Sequence, residues 1–315
     1  MANSFGKVAV DVIAQEALTR LIQKLSFIKN VHRDFSTTSL QKGQNVVTHI
    51  ITELASSDVT FGGAKAGGGT NPDGYSASSK ADLIQTDVSI NLDKHKAVTF
   101  TLSDGERDSS SIDMFNRYAE VASYGLAKGI VDVLLGSDTL GAKAASISKT
   151  IDAGDLTMDK LIDLGAAFDA DGIPEAGRWL VAHPKVLAEL EKEVTAVTNA
   201  TFSVNSSIVE GGVNRIRGFD IYAYNGGVLK DGLTAGDCSM VAGFSDSLAL
   251  VTAPPSSPPD TSGASLAYIT DPETGLTIQR RQWYDADKAL YSFALTLYLG
   301  SKLTSGTRAY KMLAK

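Results

Sequence analysis

Apolar side chains recur every three or four positions in some stretches of the chain and every second position in others. Val8, Val12, Leu18, Leu21, Ile22 and Leu25 fall on one side of a helix predicted over 8–25. The β-branched run NVVTHIITEL, 45–54, predicts a strand. Val88, Ile90 and Leu92, then Val98, Phe100 and Leu102, alternate with polar residues and predict two strands with one buried face each. Ile112, Phe115, Ala119, Ala122, Leu126, Ile130 and Val133 keep helical spacing through Leu135. Ser110 and Asp113 form a capping-box-like start to that helix, and Gly136 supplies a stop. A helix this long is expected to be a spine against which other elements pack.

Beyond the spine, helix and strand alternate. Leu161, Leu164 and Phe168 mark a helix, RWLVAHP (178–184) a buried strand, and Pro184 opens a helix through Val186, Leu187, Leu190 and Val194. FDIYAYN (219–225) and MVAGFSDSLALVT (240–252) read as further strands, so the middle is a compact α/β or α+β unit. APPSSPPD, 253–260, is a stiff extended connection. LAYIT and LTIQRRQWY flank the turn DPETG as a hairpin. Tyr291, Phe293, Leu295, Leu297 and Leu299 alternate along a last long strand, and RAYKML closes the chain.

One stretch breaks the pattern. GGAKAGGGTNPDGYSASS, 62–79, carries six glycines between Gly62 and Gly74 and cannot pack a core of its own, so it is expected to be a mobile loop tip. The block 43–102 is then a two-armed excursion with a glycine-rich end.

Composition narrows the classes. The 315 residues are 43% hydrophobic and 21% charged, which is globular. No run of about 18 apolar residues predicts a transmembrane helix, and MANSFGKVAV lacks a signal-peptide core. The net charge of −7 is uneven: residues 1–44 carry +3 and the remainder −10. An acidic body excludes a broad basic nucleic-acid face. The basic arm reads most simply as a solvated helix.

Chemistry is sparse. The lone Cys238 excludes an internal disulfide and a cysteine zinc cluster. His32, His49, His95 and His183 are scattered, and His183, before Pro184, reads as a satisfied structural residue. GYSAS at Ser76 and GFSDS at Ser245 lack the second glycine of a nucleophile elbow. The glycines at 62–74 match neither a P-loop nor GxGxxG. Asp169 with Asp171, and Asp285 with Asp287, read as solvated turns. Arg280, Arg281, Trp283 and Tyr284 join basic and aromatic groups on a predicted hairpin, which points to a subunit contact. No catalytic, cofactor-binding or metal residues are assigned.

The order of parts carries more: an arm, a long strand excursion, a spine helix, a central unit and a long terminal strand region. With QEALTRLIQKLSFIKNVHRDF followed by QKGQNVV, then GIPEAGRWLVAHPKVLAEL and VNRIRGFDIYAYN, this order resembles the major capsid protein of tailed bacteriophages, with the Hong Kong 97-type fold of α+β class. The resemblance implies an N-arm at 1–42, an E-loop at 43–102, a peripheral domain at 105–152 and 264–315, and an axial domain at 153–263. It implies a non-enzymatic subunit that forms pentamers and hexamers of itself, tiling an icosahedral shell around double-stranded DNA held by weak non-specific contact. Implied partners are a separate scaffolding protein, a portal and a cement protein. The shell would assemble in the host cytoplasm and form the virion.

Candidate contacts between subunits are Gly62, Lys65, Gly67 and Asp73 on the loop tip, with Arg280, Arg281 and Trp283 on the hairpin. In some relatives an E-loop lysine forms an isopeptide bond with an asparagine late in a neighbour's chain. Lys65 stands where such a lysine could be placed, or is a solubilising charge. The last asparagine is Asn225, so a non-covalent shell is expected. The short stretch before the first strand argues for separate scaffolding and no large maturation cleavage. An encapsulin-like nanocompartment shell and an α/β small-molecule enzyme are the alternatives; a jelly-roll capsid fits poorly with a seven-turn helix.

Overall fold

A computed structural model describes residues 26–31, 43–51, 85–105, 112–136, 149–153, 157–200, 215–227, 229–231, 238–256, 265–270, 276–304 and 309–314. Contacts divide the chain into two units, 45–90 and the remainder, 1–44 with 91–315. In the smaller unit, β1 (Asn45–Ile51) pairs with β2 (Gln85–Asn91) as a two-stranded sheet. The period-two pattern is realised in β2, where Val88 and Ile90 are buried and Asp87 and Ser89 exposed. The amphipathic arm at 8–25 and the glycine-rich tip at 62–79 lie outside the described residues, as do the Ser110 cap and the DPETG turn.

In the larger unit, one sheet has the order β10-β11-β12-β3, with β9 also paired to β12. Its strands are β3 (Lys94–Ser103), β9 (Leu248–Ala253), β10 (Ser265–Thr270), β11 (Thr277–Asp285) and β12 (Leu290–Leu303), and all its pairs are antiparallel. The hairpin read across DPETG is β10–β11. The spine helix α1 (Ile112–Leu134) packs on β3 and β12. Ala122, Leu126, Ile130 and Leu134 are buried at every fourth position, as an i, i+4 stripe requires. Phe100 bridges the layers, stacked on Tyr118 at 5.9 Å and tilted against Phe293 at 4.9 Å.

The second sheet runs β4-β13-β8-β5-β7-β6. These are β4 (Lys149–Ala153), β5 (Arg178–Ala182), β6 (Arg215–Ile216), β7 (Phe219–Ala223), β8 (Cys238–Phe244) and β13 (Ala309–Ala314). β5 pairs in parallel with β7 and β13 with β4; the other pairs are antiparallel. Helices α2 (Met158–Ala170) and α3 (Pro184–Ala200) cover one face. Leu161, Leu164, Phe168, Val186, Leu187 and Leu190 pack there on Leu180, Ala182, Phe219, Ile221, Met240 and Ala242. The other face gives Trp179, Val181 and Val241 to a core shared with α1 and the five-stranded sheet. Covered on both sides, β5 reads as a continuous apolar run, as a buried strand should.

Local signals fix the helix ends. Thr157 caps α2, its hydroxyl accepting from the Lys160 N–H at 3.4 Å. The other end closes in a Schellman turn: Ile173 N–H donates to Phe168 O and Gly172 N–H to Asp169 O, with Gly172 at φ +69°. His183 caps α3, its Nδ1 accepting from Lys185 N–H at 3.3 Å. That is the satisfied structural role expected of it.

The segment 240–252 is two strands belonging to different sheets. The turn Ser245–Ser247 makes the switch, with Phe244 O accepting from Ser247 N–H, Ser247 Oγ and Trp179 Nε1. After β12 the chain crosses again, and β13 inserts between β4 and β8. Sheet pairing therefore cuts across the boundaries read from sequence. β3, placed in the excursion, and β9, placed in the axial stretch, both pair with β12. β4 and β13, placed in the peripheral stretches, both join the six-stranded sheet. Ladder partners far apart in sequence leave no trace in local periodicity, which is why the pattern missed them.

Candidate assembly surface

Strand register sorts the hairpin residues onto two faces, because partners across a ladder point the same way. Arg280 is opposite Leu295, on the face that carries Phe293 and Leu297. Its side chain is 1% exposed, so it lies inside its own subunit and is off the surface a neighbour would meet. Arg281 and Trp283 point to the other face, opposite Ala294 and Ser292. Arg281 is half-buried and its Nε donates to Gln279 Oε1 at 2.6 Å, while Trp283 is 36% exposed. Gly62, Lys65, Gly67 and Asp73 lie outside the described residues.

The face holding Trp283 is open along β3, where His95, Ala97, Thr99 and Thr101 are exposed. His95 sits 4.7 Å from its register partner Tyr298. Tyr268 adds a further exposed ring from β10. Below this surface, buried Gln279 organises the strands. Its amide nitrogen donates to Pro255 O at 2.8 Å and to Tyr268 OH at 3.0 Å; its oxygen accepts from Arg281 and from Thr296 Oγ1 at 3.4 Å. The sheet is thereby tied to the proline-rich connection after β9. Satisfying every polar atom of a buried amide makes such a network specific as well as stable.

A second surface lies on α1. Tyr118, Val121 and Tyr124 are 42%, 69% and 56% exposed, at a spacing of three along the helix. The apolar stripe used to predict α1 omits them, and aromatic residues off the buried stripe were the signal that would have found them.

Two polar clusters inside the larger unit also escaped the pattern. Arg178, 1% exposed at the start of β5, donates from Nη2 to Asp169 Oδ1 at 2.7 Å and to Ile173 O, and from Nε to Pro174 O at 2.9 Å. Its guanidinium lies near Phe168 and Phe219, 5.4 and 5.8 Å from their ring centres. Asp169 also faces Arg217 at 3.5 Å. This carboxylate ties the end of α2 to β5 and to the β6–β7 turn. The second cluster joins the arm to the sheet: Phe27 meets Trp179 edge-on at 5.0 Å, and Asn30 Nδ2 donates to Tyr222 OH at 2.9 Å. Burial, then the charge of Asp220, pushes the Tyr222 hydroxyl pKa up. Burial and the Asp132 carboxylate push that of Tyr224 up further. Among the described residues no three His, Cys, Asp or Glu side chains are placed to hold a metal, and no helix is long and apolar enough to cross a membrane.

No family model and no curated protein matches the chain. Solved structures do. A structure of Mycobacterium phage Che8 aligns with a TM-score of 0.57 over 91% of this chain and 90% of its own, at 17% identity. The capsid structure of cyanophage P-SCSP1u aligns with a TM-score of 0.57 over 92% and 88%, at 12% identity. The capsid of an empty GTA particle aligns at 0.54 over 93% and 90%, at 13% identity. At these identities the likeness is one of fold, and it spans nearly the whole chain. The chain has the fold of tailed-phage capsid subunits, the Hong Kong 97-type fold.

Proposed function

We propose that this chain is a major capsid subunit that assembles with copies of itself, as pentamers and hexamers, into an icosahedral shell around double-stranded DNA. The observation that carries the reading is the near-complete two-way coverage of capsid structures by this fold. An exposed patch of Tyr118, Val121 and Tyr124 on α1 supports it, since apolar patches mark interaction sites, and the open sheet face adds the exposed rings of Trp283 and Tyr268. Repetition of one head-to-tail contact closes rings where the rotation fits.

In this reading the arm is 1–42, the E-loop 43–102, the peripheral domain 105–152 with 264–315, and the axial domain 153–263. The division of 45–90 as a unit of its own supports an excursion that reaches a neighbouring subunit. The loop tip, with Lys65, would lie across that neighbour without a covalent bond, since residues 226–315 hold no asparagine to accept one. Scaffolding, portal and cement proteins complete the proposed set of partners. The acidic body suits weak, non-specific contact with packaged DNA, since a basic wall would hold it by counterion release. The protein would be a virion component assembled in the host cytoplasm.

Negative-stain microscopy of the purified protein tests this reading. Rings, shells or aberrant polymers are expected; a uniform monomer at every concentration would contradict it. Particles that hold a cargo enzyme and no DNA would favour the nanocompartment instead.

A further inference from the structure

We infer that the loop Tyr224–Gly227 is a clasp that fixes the six-stranded sheet against the C-terminal end of α1, and that in a shell it limits how far the two layers turn against each other. The second half rests on the capsid reading; the first does not.

The clasp begins where β7 ends. Tyr224 N–H still bonds Ala182 O at 3.0 Å, so its backbone belongs to the six-stranded sheet. Its side chain belongs to α1: the hydroxyl donates to Asp132 Oδ1 at 2.7 Å, with Lys128 O a second acceptor at 3.2 Å. Lys128 and Asp132 are one turn apart, so the ring lies along a single face of the helix. Asp132 itself sits near the helix C-terminus, the pole at which a carboxylate is disfavoured. The Tyr224 hydroxyl is the donor that meets it there.

Two glycines bring the loop onto the helix. A Cβ at Gly226 would stand 2.6 Å from Asp132 Oδ1, and one at Gly227, where φ is +62°, 2.6 Å from Leu135 O. At Gly227 only a residue without a side chain fits, while at Gly226 a side chain would push the Asp132 carboxylate off its hydrogen bond. The shared apolar core of Trp179, Val181 and Val241 with α1 is held by a non-directional force. The β8–β9 turn and the β12–β13 crossing join the two sheets covalently. The clasp contributes direction: a charge-assisted hydrogen bond seated by backbone too close to shift.

The test places spin labels on Val121→Cys of α1 and Ile162→Cys of α2, both exposed, in a Cys238→Ser background. Pulsed dipolar spectroscopy then reads the spread of distances between the helices in the subunit itself. Tyr224→Phe, which removes only the hydroxyl, should broaden the distribution, and Gly226→Ala should shift its mean. Asp132→Asn, which keeps an acceptor, should broaden it less than Tyr224→Phe. Unchanged distributions in Tyr224→Phe and Gly226→Ala would overturn the clasp. Electron microscopy of Tyr224→Phe particles should show a wider range of diameters than the unsubstituted protein. Unchanged diameters with a broadened label distance would overturn the role in the shell. If the unsubstituted protein forms no shells, the capsid reading and the shell role fall together, while the label distances still decide the clasp.

Discussion

β5, at the centre of the six-stranded sheet, is buried at all five positions, whereas β3, at the edge of the five-stranded sheet, alternates between half-buried and exposed residues for most of its length. The two strands sit in one unit and differ in what lies on their faces. α2 and α3 cover one side of β5, and the shared core covers the other. β3 has α1 on one side and an open surface on the other. A sheet closed on both faces is committed to its own subunit. A sheet with a free face of Thr, His and aromatic side chains keeps surface available for another molecule. Substitutions in the first sheet should therefore act on folding, and those on the open face on association.

The largest effect should come from Trp179→Ala. This fully buried ring holds Phe27 at its edge and donates to Phe244 O, so truncation should cost about 3–5 kcal/mol in denaturant unfolding. Trp283→Ala, where the ring is 36% exposed, should cost clearly less subunit stability, about 1–2 kcal/mol, and yet weaken assembly, read as a raised critical concentration. Equal stability losses for the two tryptophans would erase the contrast.

Asp169→Ala comes next. It strips the buried Arg178 guanidinium of its carboxylate, and unfolding free energy should fall by about 1–3 kcal/mol. Arg217, half-exposed on the same carboxylate, should contribute less: Arg217→Ala is expected to cost under about 1 kcal/mol. Reversal of that order would mean the cluster is held from its solvent side. Gly172→Ala follows, at about 1 kcal/mol for a side chain forced into the left-handed region; thermal unfolding would measure it.

The smallest effect is alkaline. Tyr222 and Tyr224 have hydroxyl pKa values raised above the ordinary 10.0, chiefly by burial. A group that holds its proton more tightly when folded adds stability that is complete below pH 10 and is lost as pH rises through the folded value. Spectrophotometric titration should therefore find these two ionising after the exposed tyrosines. Tyr224→Phe should flatten the decline in stability above pH 10.

What the sequence made legible was whatever is local. The stripes of α1, α2 and α3, the alternation of β2 and β3, Pro184 as a helix start and His183 as a satisfied residue all follow from neighbours within one turn or one pleat. The two sheet crossings were hidden: Ser245-Asp246-Ser247 marks a turn between Phe244 and Leu248, but nothing local tells which ladder each strand joins. Arg280 and Arg281 are adjacent and chemically alike; only the register of β11 against β12 sends one inward and the other to the surface. Tyr224 and Asp132 lie 92 positions apart, and neither looks unusual alone. The fold family was readable from the order of parts, since that order survives when side chains diverge.

Sedimentation of the purified protein across a range of concentrations decides whether this fold works as a repeating shell subunit. A concentration-dependent transition from small species to a discrete large assembly is expected, shifted to higher concentration by Trp283→Ala. A single sharp monomer boundary at every concentration, with or without that substitution, would contradict it.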